Sequence, residues 1–311
     1  LAPLPGYEAT GLAEFTPSML QDYEFCQRRF YYKNVEHIVP FFDEEQEDIV
    51  DGGAVREGSG GNLSSLPAGV LPAGVLSPTA VGHVIHRTLE RVGLRFVETG
   101  TLAGEEEWRR AYENALYEFV AGATLAERKE KAGACGIPAM LEGYRASSLY
   151  REFARKQTRA EFDFRLPFPS GQQPLFHVTG TIDAIGRDGD GNWEIVDYKT
   201  GQLPRGDEEG ALKPGYAYQL ALYWYAVEQL VQDLSGGTEG QPPRTVARAV
   251  LHYLGGPRCV GLASAEEKDR WLARVQALCL EIRGKGGEAD FAPTTREGAC
   301  GRCPYHYMCR R

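Results

Sequence analysis

Hydrophobic positions recur with helical spacing in several parts of the chain. Residues 14–36 have this spacing, and Pro17 is well placed for a first helical turn. The spacing returns at Thr79 and continues, with breaks, to about residue 160. Two later helices are predicted at 216–234 and 264–284. Helices should therefore make up much of the fold.

Four segments have the residue types of strands, and they lie between the predicted helices. Their bounds are 160–168, 176–187, 192–200 and 244–254. The second and third are joined by the turn signal DGDG, which predicts a hairpin. The order of elements predicts an α/β fold with helices around a small mixed sheet.

Residues 40–78 show no regular hydrophobic spacing. This stretch is acidic at first, then rich in Gly and Ser, and it contains a tandem LPAGV. We interpret 40–78 as a flexible loop or insertion within one domain that covers residues 1–311. The first residue, Leu1, suggests a processed product, a trimmed chain or a piece of a longer polypeptide.

Composition supports a folded protein, since 42% of the 311 residues are hydrophobic. No apolar run approaches the roughly 20 residues of a membrane span, and the start lacks a signal-peptide pattern, so a soluble cytoplasmic protein without a membrane partner is expected.

The net charge of -9 argues against a polyanionic partner unless basic residues are concentrated locally. Arg151, Arg155 and Arg159 would line one face of a helix and could follow a phosphate backbone. An ordinary solvated helix face is the alternative.

The segment WEIVDYKTG, residues 193–201, ends an apolar strand with charged side chains. Asp197 and Lys199 share one face of it because strand side chains alternate. A turn centred on Asp190 would place Asp183 opposite Asp197 and on the same face. Two facing carboxylates repel each other unless a cation or a shared proton lies between them, and oxygen ligands suit Mg²⁺ or Mn²⁺. A buried ion-pair network is the alternative.

Five motifs in this order resemble the RecB-like branch of the PD-(D/E)xK nucleases. They are GHVIH with Gly82 and His86, AEFDF with Glu161, GTIDAI with Asp183, DYKTG with Asp197 and Lys199, and QLALY with Gln219 and Tyr223. The resemblance implies a restriction-endonuclease-like core, in which a mixed β-sheet is flanked by helices.

The resemblance also implies roles for these residues. His86, Asp183 and Asp197 would bind the divalent metal, and Lys199 would be the catalytic base or orient the water. Gln219 and Tyr223, one helical turn apart, would support the lysine or contact the DNA backbone. Taken singly, His86 and Tyr223 could be core residues, and Glu161 could touch the metal site indirectly or be structural.

Seven cysteines without a secretion signal argue against a disulfide framework. Cys300, Cys303 and Cys309 form a C-x2-C-x5-C cluster, and Cys26 is a remote fourth candidate. Four thiolates can bind zinc or an iron–sulfur cluster.

One remote cysteine and a clustered triplet resemble the iron–sulfur subset of these nucleases, such as the C-terminal nuclease domain of AddB-type helicase-nucleases. The resemblance implies a [4Fe-4S] cluster that joins the N- and C-terminal segments, although Gln27 follows Cys26 where a proline is common. The nearby Phe30, Tyr31 and Tyr32 would face single-stranded DNA or form the core face of their helix.

The expected function is a Mg²⁺- or Mn²⁺-dependent deoxyribonuclease, an exonuclease on single-stranded or unwound DNA. It would be a domain of a recombination or repair helicase-nuclease, with a helicase domain or subunit as its partner. A free-standing exonuclease, a non-catalytic iron–sulfur DNA-binding module and a zinc protein remain alternatives.

Overall fold

A six-stranded mixed sheet forms the centre of the protein. The computed structural model describes residues 10–39, 75–170, 175–201, 212–234, 245–296 and 298–309. The strands are β1 (Glu14–Phe15), β2 (Gln157–Phe168), β3 (Phe176–Arg187), β4 (Trp193–Lys199), β5 (Val246–Tyr253) and β6 (Arg258–Leu262).

Strand β3 organises the sheet. It pairs antiparallel with β2 along its length, parallel with β1 at its start and antiparallel with β4 at its end. Strand β4 pairs parallel with β5, and β5 pairs antiparallel with β6. The mixed sheet that the pattern predicted is thus confirmed.

Nine α-helices surround the sheet in the described part of the chain. They are α1 (Pro17–Phe25), α2 (Gln27–Phe30), α3 (Pro78–Thr99), α4 (Glu105–Phe119), α5 (Leu125–Ala134), α6 (Ile137–Ala146), α7 (Ser148–Phe153), α8 (Pro214–Leu234) and α9 (Ala265–Arg283). A π-helical turn, Tyr31–Val35, follows α2. No helix among the described residues is long and apolar enough to cross a bilayer.

Two hydrophobic clusters occupy the two faces of the sheet. One joins the sheet to α1, α8 and α9, and the other joins it to the helices from α3 to α7. Strand β4 contributes to both, because Ile195 belongs to the first cluster and its neighbour Val196 to the second. The fold therefore has three layers, with the sheet between two groups of helices.

Helix α3 has strong signals at both of its ends. The Ser77 side chain accepts a hydrogen bond from Ala80 N, Pro78 occupies the first helical position, and Gly100 ends the helix at φ 66°. Both ends are thereby defined by local chemistry. The helix carries His86 to the edge of the sheet.

Residues 14–36 do not form the single continuous helix that the pattern predicted. Thr16 and Pro17 begin α1 as expected, but the backbone is extended at Cys26 (φ −160°, ψ 111°). Cys26 ends α1 and also begins α2, where its Sγ accepts a hydrogen bond from Arg29 N. The break follows from this double capping role, which hydrophobic spacing does not reveal.

The prediction that Arg151, Arg155 and Arg159 line one face of a helix is also wrong. Ser147 separates α6 from α7, and β2 begins at Gln157, so Arg155 lies in a turn and Arg159 in a strand. Pairing of β2 along β3 overrides the helical spacing of this stretch. The three arginines do not share a helix.

The other strand and helix predictions agree closely with the structure. The strand predicted at 176–187 has the bounds of β3, and the DGDG turn joins β3 to β4. Strands β1 and β6 were not predicted, and α8 begins two residues before its predicted start. Most of the predicted loop 40–78 lies outside the described residues, and Pro78 already belongs to α3.

Candidate active site

The hairpin of β3 and β4 places two buried carboxylates side by side. Its register pairs Ala184 with Val196 and Ile185 with Ile195, and Asp183 and Asp197 are the next residues beyond the last of these pairs. Asp183 is 8% exposed and Asp197 is 2% exposed. The register is the one that the turn predicted, and Asp183 is near enough to Asp197 for its charge to raise the pKa of Asp197.

Asp183 is held at both carboxylate oxygens. Tyr198 N donates a hydrogen bond to its Oδ2 at 2.6 Å, and His86 Nδ1 lies 3.2 Å from its Oδ1. Burial alone would raise the pKa of Asp183, but His86 and the backbone donor hold it below its usual value. Burial would likewise lower the pKa of His86, which Asp183 raises to about 9. The two groups form an ion pair in which Asp183 is buried and His86 is partly exposed.

Glu161 joins this pair from β2. One ligand atom each of His86, Glu161 and Asp183 lies within 4.8 Å of the other two, the only such group of three or more His, Cys, Asp or Glu among the described residues. Burial, then repulsion from Asp183, raises the pKa of Glu161 to about 7. The arrangement is suited to a divalent cation.

The backbone at Glu161 is unusual for a strand. Its φ is +46°, a conformation that L-residues adopt rarely, and the regular pairs on either side of it are Ala160 with Ala184 and Phe162 with Ile182. Strain of this kind concentrates at functional sites. Here it occurs where β2 passes Asp183.

A second chain of contacts runs from Asp197 to α8. Gln219 Nε2 donates to Asp197 Oδ1 at 2.7 Å and to the Tyr223 hydroxyl at 2.8 Å, while Gln219 Oε1 accepts from Lys199 Nζ at 3.1 Å. Gln219 and Tyr223 thus share one face of α8, as their spacing predicted. The amide holds the lysine and the carboxylate in fixed relative positions.

Asp197 remains electrostatically strained despite these contacts. Lys199 Nζ lies 2.9 Å from its Oδ2, yet that buried oxygen accepts no hydrogen bond of good geometry among the described residues. Burial, aided by Asp183 and opposed by Lys199, raises the pKa of Asp197 to about 6. Additional positive charge at this edge would stabilise both carboxylates.

Helix α3 leaves open space beside His86. Gly82 lies one turn before His86 on the same face, and a Cβ at Gly82 would meet no described atom within 4 Å. The structure therefore gives Gly82 no packing role, although it keeps this side of the site uncrowded.

Of the predicted metal set, His86 and Asp183 belong to the tight group, together with Glu161 in place of Asp197. Sequence analysis named Glu161 without giving it a definite role. A role for Glu161 depends on the strand register that places it beside Asp183. The connection between β2 and β3 does not determine that register in advance.

The four predicted cysteine ligands line one cavity of about 440 Å³. Cys26 is buried at the break between α1 and α2, while Cys300, Cys303 and Cys309 are half-buried in the irregular C-terminal segment. None of the four forms a disulfide, and burial raises the pKa of Cys303. Segments from the two ends of the chain therefore meet here.

Polar contacts tie these segments together around the cavity. Arg28 Nε donates to Phe291 O at 2.7 Å, the Tyr32 hydroxyl donates to Met308 O at 3.2 Å, and the Tyr305 hydroxyl donates to Ile38 O at 3.1 Å. The chain ends are thus joined by hydrogen bonds as well as by the shared cavity.

The aromatic residues after Cys26 belong mainly to the core. Phe30 is fully buried and Tyr32 is 3% exposed, and the Phe30 ring stacks on that of Phe291. Of the two interpretations, the core face describes Phe30 and Tyr32 correctly. These two rings do not form a surface for bases.

A family model described as the PD-(D/E)XK nuclease superfamily matches residues 62–310. No curated protein matches the chain. Among solved structures it is similar to "Crystal structure of SSO0001", with 13% identity and a TM-score of 0.33 over 74% of this chain and 84% of that one, a likeness too distant to support any argument.

Proposed function

Because the chain belongs to the PD-(D/E)XK nuclease superfamily, we propose that it hydrolyses phosphodiester bonds in DNA with the help of a divalent cation. The observation that carries this proposal is the buried group of acids at one edge of the sheet. Asp183 and Asp197 lie next to the last regular pair of β3 and β4, both are buried, and Lys199 contacts Asp197. A purely structural ion-pair network would not require an excess of buried carboxylates over cations.

The cation would be held by His86, Glu161 and Asp183, with Asp197 beside them. Their ligand atoms are a nitrogen and carboxylate oxygens, which Mg²⁺ and Mn²⁺ accept. The raised pKa values of Glu161 and Asp197 indicate that each carboxylate lacks sufficient positive charge nearby. Once bound, the cation would supply a Lewis acid that stabilises negative charge on the phosphate and favours ionisation of water.

Lys199 would orient the attacking water or accept its proton. Its ammonium group contacts Asp197 Oδ2 at 2.9 Å and Gln219 Oε1 at 3.1 Å, and it lies over the Tyr216 ring at 4.8 Å. These three contacts restrict a flexible side chain to one position. Gln219 and Tyr223 are therefore proposed to position Lys199 and Asp197.

A cleavage assay on end-labelled single-stranded DNA tests the proposal. The wild-type protein should cleave when Mg²⁺ or Mn²⁺ is added and stop when EDTA removes the metal. Asp183→Ala should bind DNA without cutting it. Equal cleavage by the wild-type protein and Asp183→Ala would contradict the nuclease assignment, and DNA binding without cleavage by both would favour the non-catalytic module.

We further propose that Cys26, Cys300, Cys303 and Cys309 bind a [4Fe-4S] cluster. The support is that all four line one cavity and that the set joins the two ends of the chain. Cys26 begins α2, where its Sγ accepts from Arg29 N, and such a donor stabilises a thiolate. The cluster's role would be structural, since it would connect segments that have little regular structure.

Anaerobic purification distinguishes this cluster from zinc. Iron and sulfide in comparable amounts, with a brown chromophore, are expected for the cluster. Zinc without visible absorption would identify a Cys₄ zinc site instead. Cys259→Ser is a matched control because Cys259 is an exposed thiol on β6, away from the set.

The substrate class follows from the resemblance to RecB-like enzymes. On that basis we propose an exonuclease on single-stranded or unwound DNA that works with a helicase domain or subunit. A free-standing exonuclease of the same family is the alternative. Helicase motifs in the adjoining coding sequence, together with co-purification of a helicase, would favour the first.

A further inference from the structure

A buried cluster of rings lies on the face of β4 opposite Asp197 and Lys199. It contains Tyr198 of β4, Tyr144 of α6 and His252 of β5, which are 6%, 0% and 2% exposed. The ring centroids of Tyr144 and Tyr198 are 5.7 Å apart, and those of Tyr198 and His252 are 6.3 Å apart. The proposed mechanism uses none of these side chains.

One buried hydrogen bond links this cluster to the helical layer. The Tyr144 hydroxyl lies 2.7 Å from His252 Nδ1, and His252 is the direct partner of Tyr198 in the parallel pairing of β4 and β5. Burial, then the charge of Arg248, lowers the pKa of His252 to about 3, so the ring is neutral. A buried bond of this kind is costly to leave unmade, which makes it a rigid support for Tyr198.

Tyr198 touches the candidate metal site in two ways. Its backbone N donates to Asp183 Oδ2 at 2.6 Å, and its ring meets the His86 ring edge-on, with centroids 6.2 Å apart and an interplanar angle of 83°. Asp183 lies on β3 and His86 on α3, so these two ligands come from different elements. Tyr198 therefore contacts both.

We propose that the Tyr144–His252 pair is a positioning device that acts through Tyr198 to set the relative placement of His86 and Asp183, and thereby the affinity of the site for a divalent cation. The inference rests on the proposed function. Tyr144 and His252 would touch neither the cation nor DNA. Support behind metal ligands typically changes metal affinity or activity by about 10- to 100-fold.

The primary test is Tyr144→Phe, which removes the hydroxyl and keeps the ring. Tyr112→Phe is the matched control, because the Tyr112 hydroxyl on α4 is buried without a hydrogen-bond partner among the described residues. Binding is followed by titrating Mn²⁺ and measuring free Mn²⁺ by electron paramagnetic resonance. Tyr144→Phe should bind Mn²⁺ about 10-fold more weakly. Tyr112→Phe should match the wild-type protein.

Cleavage kinetics separate positioning from general destabilisation. In Tyr144→Phe the Mn²⁺ concentration for half-maximal rate should rise by about the same factor, while the rate at saturating Mn²⁺ stays near wild type. A loss of folded protein would instead lower the saturating rate without moving the half-maximal concentration, and that result would overturn the inference.

Tyr198 itself supplies a second pair of variants. Tyr198→Phe keeps the ring against His86 and should retain most of the Mn²⁺ affinity, whereas Tyr198→Leu should lose it. Circular dichroism at the assay temperature confirms that the compared proteins are folded.

The outcomes distinguish this inference from the proposed function. Mn²⁺ binding and metal-dependent cleavage by the wild-type protein, with unchanged affinity in Tyr144→Phe, would overturn the inference and leave the nuclease assignment intact. An equal loss in Tyr112→Phe would overturn it as well. A wild-type protein that binds no Mn²⁺ would defeat the proposed function and this inference together.

Discussion

The carboxylate site lies on three paired strands and two long helices, whereas the cysteine cavity lies among short irregular segments from the two ends of the chain. Asp197 and Lys199 pair with Leu251 and Tyr253 of β5, and Asp183 lies between Ile182 and Ala184, which pair with β2. Cys26 lies at a helix break, and Cys303 follows a short 3₁₀ turn. The two regions therefore differ in what holds their side chains in place.

This difference separates two ways of building a metal site. In the carboxylate site the backbone ladder determines the distances, so the acids repel one another before any cation binds. At the cysteine cavity a bound group would itself join the segments, and folding of the chain ends would depend on it. Removing a ligand should thus impair chemistry in the first region and stability in the second.

The largest effect is expected for Asp183→Asn. The amide oxygen can still accept from Tyr198 N, so the fold should persist while the cation loses a charged ligand. Cleavage of single-stranded DNA should fall on the order of 10³-fold, or about 4 kcal/mol. Asp163→Asn, at an exposed position on β2, should remain active, and a comparable loss in that control would point to a general effect of removing charge.

Cys26→Ser tests the other side of the comparison. Serine can keep the cap at the start of α2 while removing the thiolate. The protein should lose the iron of the proposed cluster, and its free energy of unfolding should fall by roughly 3 kcal/mol, because that link between the chain ends would close a very long loop. Iron analysis and thermal unfolding measure both effects. Unfolding at the wild-type temperature would show that the cavity does not stabilise the fold.

Gln219→Ala should have an intermediate effect on the carboxylate site. Without the amide, Lys199 and Asp197 lose their common partner, and the cleavage rate should fall about 10- to 100-fold. Tyr223→Phe should cost less, because its hydroxyl contacts Gln219 and not the acids. Tyr225→Phe, on α8 with a hydroxyl that donates to Pro167 O instead of to the site, is the control; single-turnover cleavage ranks the three variants.

The smallest effect concerns pH. Glu161 has a pKa of about 7 in the metal-free fold, above its usual 4.5, so its neutral form stabilises the fold below about pH 4.5 and that contribution is lost as the pH rises through 7. In EDTA, Glu161→Gln should be more stable than wild type at pH 8 by roughly 1 kcal/mol and similar to it near pH 4.5, after allowance for solvent screening.

Denaturant unfolding at several pH values measures this difference. Glu152→Gln is the control, since Glu152 is exposed on α7. If the free energies of unfolding of wild type and Glu161→Gln changed with pH in parallel, the raised pKa of Glu161 would be contradicted. Added Mn²⁺ should stabilise wild type more than Glu161→Gln, because the variant lacks one charged ligand.

Local signals predicted the elements that their own residues define. The bounds of β3 and the ends of α9 were predicted to within a residue, because strand composition and helix caps act over a few positions. Helical spacing failed at residues 157–160, where pairing with β3 makes a strand. It also failed at Cys26, whose thiol caps a new helix.

The features of the candidate site that local signals determine were also predicted from the sequence. Asp183 and Asp197 were predicted to face each other because a tight turn determines the register of a hairpin from nearby residues alone. The five ordered motifs indicated the nuclease superfamily, which the family model confirms.

The resemblance implied that His86 and Asp183 share a metal site, but only the tertiary structure brought Glu161 to them and showed that Tyr198 contacts both. The physical reason is distance along the chain. A hairpin turn determines which residues face each other locally, whereas contacts between distant segments depend on how the helical layer and the sheet pack as a whole.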